Sequence, residues 1–95
     1  WLRVLRNYLR LLNNRDMTVT DRELDDFIYE VELLGYSVRY AGITGFGQGE
    51  VTIDRNGAGD PMEWWYDIKE ITYDLAFRDY DMTSQTREVI VITLY

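Results

Sequence analysis

Asp60-Pro61-Met62-Glu63-Trp64-Trp65-Tyr66-Asp67-Ile68-Lys69-Glu70-Ile71-Thr72-Tyr73-Asp74-Leu75-Ala76-Phe77 is the stretch on which the fold turns, because it satisfies two periodicities at once. With a helical period, Asp60 and Pro61 open a helix, Glu63 adds an acid to its first turn, and Trp64, Ile68, Ile71 and Leu75 line one face. With a period of two, Trp64, Tyr66 and Ile68 alternate, then Ile71, Tyr73, Leu75 and Phe77 alternate on the opposite parity. A bulge near Lys69-Glu70 would join those two runs into one bent strand. The aromatic and β-branched density favours the strand, and the helix stays open as the alternative for residues 62–77.

Downstream, Arg87 to Tyr95 is a strand by composition, joined to the ambiguous stretch by a connection at residues 81–86. Upstream, Val51 and Ile53 alternate with Glu50, Thr52 and Asp54, and Tyr36, Val38 and Tyr40 alternate with Ser37 and Arg39, so each run reads as a half-buried strand. Four glycines within residues 42–49 read as a mobile hairpin loop or bulged connection between them, and Asn56-Gly57-Ala58-Gly59-Asp60-Pro61 as a second turn.

Two helices precede the strands in this reading. Thr20-Asp21-Arg22-Glu23 is a capping box, Leu24, Phe27, Ile28, Val31 and Leu34 form a one-face stripe, and Gly35 supplies the stop. Residues 1–12 place Leu2, Leu5, Leu9 and Leu12 at helical spacing, with an arginine face opposite. The expected architecture is α+β: one domain over residues 1–95, with two N-terminal helices packed on one face of a four-stranded antiparallel β-meander. No internal repeat is legible.

Composition narrows function by exclusion. The chain has no cysteine and no histidine, so thiol chemistry, thiolate metal sites and the commonest general base at neutral pH are missing. The run Gly45-Phe46-Gly47-Gln48-Gly49-Glu50-Val51 resembles a shortened protein-kinase glycine-rich loop, but it is one residue short and no Val-Ala-Ile-Lys strand follows. Asp54-Arg55-Asn56-Gly57-Ala58-Gly59 resembles the opening of an EF-hand loop, yet Ala58 and Trp65 stand where its fifth and twelfth ligands belong. The expectation is a protein that is not an enzyme and has neither cofactor nor metal.

Charge and aromatic content then point to binding. The net charge is −7, and from Asp16 onward six basic residues face seventeen acidic ones, or −11. Such a body repels nucleic acid and anionic lipid and attracts basic protein surfaces over roughly 8 Å at physiological salt. Nine of the ten basic residues are arginine, which suits contacts more than solubility alone. The expected partner-binding residues are the carboxylates of the second helix, Asp25, Asp26, Glu30 and Glu32, together with Trp64, Trp65, Tyr66 and Phe46.

The leading expectation is an acidic domain docking on a basic protein surface, with a nucleic-acid-binding groove as the specific case. Small acidic phage-encoded inhibitors of host nucleases share this profile of size, charge and missing catalytic groups, although no motif ties the chain to them. The alternative is a structural subunit of a homo-oligomer or larger complex. A cytoplasmic monomer or small oligomer, contacting neither nucleic acid nor membrane directly, completes the expectation. No run approaches the roughly 18 apolar residues needed to span a bilayer.

Overall fold

Thr20 opens the first helix as its sequence requires. In the computed structural model, which describes residues 18–95, its hydroxyl accepts from the Glu23 N–H at 3.2 Å while the Glu23 carboxylate accepts from the Thr20 N–H at 2.9 Å. Helix α1 then spans Asp21–Leu33 and buries Leu24, Phe27 and Val31. It ends where Gly35 takes a left-handed φ of +92° and donates to the Glu32 carbonyl at 3.0 Å. The helix expected over residues 1–12 lies outside the described residues.

Strand β1 (Ser37–Ile43) and strand β2 (Gly49–Asp54) form an antiparallel hairpin, with a bulge at Arg39 where the register shifts between Val38 and Tyr40. Both strands extend into the glycine-rich stretch, which contracts the loop to Thr44–Gln48. Gly49 is tolerated inside a strand because Leu24, Val19 and Leu94 pack against the space a side chain would fill.

The stretch around Trp64 is a helix, which corrects the strand reading. Helix α2 spans Trp64–Asp74 and buries Trp64, Ile68, Ile71 and Thr72. Two physical terms outweigh β propensity here. The Asp60 carbonyl accepts from the N–H groups of Glu63 and Trp64, and its carboxylate accepts from the Met62 N–H at 2.8 Å, so the chain enters already turned. The helical face also gathers the apolar side chains that must meet the core, whereas a strand would send Tyr66 inward beside Ile68. Thr72, the buried polar residue of the helix, donates its hydroxyl to the Lys69 carbonyl at 2.6 Å. The helix stops at Ala76, in a left-handed φ of +60°.

Strand β3 (Tyr80–Gln85) occupies the segment read as a connection, and strand β4 (Val89–Leu94) follows after a short turn. Only α1 therefore precedes the strands among the described residues, and α2 falls between β2 and β3. The sheet is antiparallel throughout but is not a meander, since its order is β1-β2-β4-β3. The chain leaves β2, forms α2, crosses to the far edge as β3 and returns as β4 into the centre. Central position explains β4's composition, because it must be satisfied by neighbours on both sides.

This order makes the described chain two αββ halves. The halves meet at the Val51–Ile92 pair, about which the β2–β4 register is symmetric: Gly49 faces Leu94 and Ile53 faces Ile90. An offset of 41 residues relates Val51 to Ile92 and also the left-handed helix stops, Gly35 to Ala76. The edge pairings follow it too, with Tyr40–Thr52 matched by Asp81–Thr93 and Ala41–Val51 by Met82–Ile92. At this offset only Asp26/Asp67, Leu34/Leu75 and Thr52/Thr93 are identical residues, so the repeat is invisible in the sequence.

One hydrophobic cluster unites the layers. Val51, Ile53, Ile90, Ile92 and Leu94 point from one sheet face toward Phe27, Val31, Trp64 and Ile68 of the helices. Phe27 meets Phe77 edge-on, with ring centroids 5.8 Å apart.

Candidate functional surface

Helix α1 presents the candidate acidic residues in an arrangement the sequence only half discloses. Asp25, Asp26 and Glu32 are exposed and Glu30 is half-buried. At about 100° per residue, Asp25 and Glu32 lie on one flank of the outward face and Asp26 and Glu30 on the other. Between the flanks stand Tyr29 and Leu33, four residues apart and 63% and 61% exposed, with the exposed Arg22 on the same stripe toward the helix start. Leu34, expected in the core, is also exposed at the helix end. Tyr29 and Leu33 are the surface residues that reading the buried stripe missed. Their spacing, off that stripe and among acids, is the signal that could have found them.

The aromatic candidates separate. Trp64 is 1% exposed, packs its ring 5.2 Å from that of Tyr36 and donates its indole N–H to the Thr86 carbonyl at 3.2 Å. It is a core residue and is not part of the surface. Trp65 is half-buried and stacks on Tyr66 at 3.8 Å between ring centroids, and Tyr66 is 52% exposed. Phe46, at the β1–β2 tip, is 89% exposed.

The β2–α2 loop and its surroundings are held by the side chains of three residues, Tyr36, Arg55 and Asn56. The Tyr36 hydroxyl donates to the Asp67 carboxylate at 2.5 Å. Burial, reinforced by that carboxylate, pushes the hydroxyl well above the ordinary tyrosine range. Arg55 donates to the carbonyls of Ala58, Gly59 and Arg87 and pairs with Glu88 at 2.9 Å. The Asn56 side chain donates to the Gly35 carbonyl at 3.2 Å, tying the loop to the end of α1. A cleft of about 370 Å³ opens beside it, lined by Asp60, Glu63, Trp64, Tyr66 and Asp67.

The resemblance to a calcium loop finds its ligand atoms engaged elsewhere. One Asp54 oxygen accepts from the Asn56 N–H at 2.7 Å and the other pairs with Arg39. The Asn56 N–H, followed by Arg39, holds the Asp54 carboxyl below its usual range against a partial desolvation. Among the described residues no group of three or more acidic side chains is placed to hold a metal ion. The glycine-rich loop joins two strands and leads into no helix, so it lacks the dipole end that phosphate loops use. Among the described residues no helix is long and apolar enough to cross a membrane.

Comparison with protein-family models, with curated proteins and with solved structures finds no match to this chain.

Proposed function

We propose that this chain is a non-enzymatic binding domain that docks the outward face of α1 on a basic surface of a partner protein, with a nucleic-acid-binding protein as the partner class. The observation that carries this reading is the exposed Tyr29–Leu33 pair set between two acidic flanks. An apolar centre with a charged rim is the anatomy of a protein interface, the centre supplying affinity and the rim steering approach. The net charge of −7 gives the steering field its sign. It also disfavours self-association through this face, since two copies would oppose like charges.

The test is kinetic. The domain is immobilised, a retained protein is purified from an extract of its natural source, and association is measured at low and high salt. Converting Asp25, Asp26, Glu30 and Glu32 to their amides should slow association tenfold or more at low salt and leave it unchanged at high salt. Folding stability should stay within about 1 kcal/mol, because exposed charges contribute little individually. An unaltered rate at low salt would refute the reading.

A further inference from the structure

We propose that Phe46 is a preformed anchor, a phenyl ring held out on a braced hairpin tip for insertion into an apolar pocket with a basic rim on the partner protein. This rests on the binding reading above and names the partner's chemistry. Phe46 is the most exposed large apolar side chain described, at 89%, although its loop is firmly built. Thr44 donates its N–H to the Gln48 carbonyl at 2.8 Å, and its hydroxyl accepts from the N–H groups of Phe46 and Gln48. Gly47 donates to the Thr44 carbonyl, takes a left-handed φ of +78° and accepts from the Val19 N–H at 2.7 Å. The backbone carrying the ring is thus fixed before binding, so little ordering entropy remains to be lost there.

The shape of the tip selects a pocket over a flat surface. Gly45 precedes the ring without a side chain, and a methyl group added there would meet nothing within 4 Å, whereas Thr18 stands against Gly47, so a pocket wall can close on the ring from its Gly45 side. Residues 40–49 carry no charge, which lets the tip enter an apolar site without desolvating an ion. The Val19–Gly47 bond places the tip beside the start of α1, where Asp21 and Glu23 outnumber Arg22, and the chain carries a net charge of −7, so the rim that fits is positive. A second copy is a poor host, because it shares the −7 charge and its cleft beside α2 is lined by Asp60, Glu63 and Asp67. An anionic lipid surface is repelled by the same charge.

The experiment compares the wild-type domain with Phe46→Ala, Phe46→Ser, Phe46→Trp and the four-amide variant of α1, each titrated against the purified protein that the wild type retains. Thermal midpoints of the Phe46 variants should match wild type, since the ring packs on little. The anchor predicts a loss of affinity of about thirtyfold or more for alanine and serine, substantially recovered by tryptophan. Unchanged affinity in Phe46→Ala and Phe46→Ser, with slower association in the α1 variant, would overturn the anchor and leave the binding reading standing. A retained protein indifferent to every variant, or none retained, would overturn both.

Discussion

The Tyr36 hydroxyl and the Asp67 carboxylate meet at 2.5 Å across 31 residues of chain, joining the residue that follows the α1 stop to the first turn of α2. This bond crosses between the two αββ halves, and it sits where Gly59 leaves no room for a side chain against the tyrosine ring.

Removing either partner should be felt in stability. Tyr36→Phe and Asp67→Asn are each expected to cost about 1.5–3 kcal/mol, the range for a hydrogen bond to a charged group. The double variant should cost less than their sum. Urea unfolding of all four proteins checks this, and strict additivity would show that the two groups are not coupled.

Alkaline pH should erode the stability that Tyr36 contributes through its burial and then through this bond. The folded-state pKa of Tyr36 lies above its ordinary value of 10.0, so its stabilisation is fully present below pH 10. It declines as pH rises through the interval up to the folded value, by at most about 1.4 kcal/mol per pH unit. The stability difference between wild type and Tyr36→Phe should therefore be constant below pH 10 and shrink above it. On the acid side the sign reverses. Asp54, held below the ordinary carboxylate value of 3.8 by the Asn56 N–H and then by Arg39, contributes above that pH and loses its contribution as pH falls through its folded value. Carbon-detected titration should find it below the ordinary range, and Arg39→Ala should move it upward.

Glycine substitutions in the β1–β2 loop should divide sharply. Gly47→Ala places a Cβ against Thr18 at a φ of +78° and is expected to cost about 1–2 kcal/mol from backbone strain alone, before the clash. Gly45→Ala meets open space and should change stability by less than about 0.5 kcal/mol. Thermal unfolding distinguishes them, and equal effects would contradict the braced loop.

The helical state of residues 64–74 has its own signature. Ile68→Ala should cost about 2–5 kcal/mol as a cavity in the core. Tyr66→Ala should cost under about 1.5 kcal/mol, chiefly the lost stack on Trp65. A strand would place both residues on one face and make the two costs similar.

How much of this was legible depends on how local the cause is. The start and stop of α1 follow from Thr20, Glu23 and Gly35, whose effects act within one turn. Strand β2 and strand β4 follow from alternation at Val51 and Ile53 and at Ile90, Ile92 and Leu94. Strand β3 was not legible. Tyr80-Asp81-Met82-Thr83-Ser84-Gln85 is an edge strand, polar and bulged at Thr83, whose extended state comes from pairing with β4. On the candidate surface, the acidic residues could be named from sequence, but the exposure of Tyr29 and Leu33 depends on which helical face meets the sheet.

The sequence by itself determined the charge, the capped first helix, the alternating central strands and the want of thiol and imidazole groups, because each is a property of residues or of near neighbours. Tertiary structure decided that Trp64 to Asp74 winds as a helix, that Trp64 is core while Tyr66 faces solvent, and that β4 enters between β2 and β3. The physical reason is that the apolar side chains of residues 64–75 satisfy either period locally. The turn at Asp60 tilts the choice toward the helix, and the requirement that Trp64, Ile68 and Ile71 meet one shared core, with the backbone of β4 hydrogen-bonded on both edges, completes it.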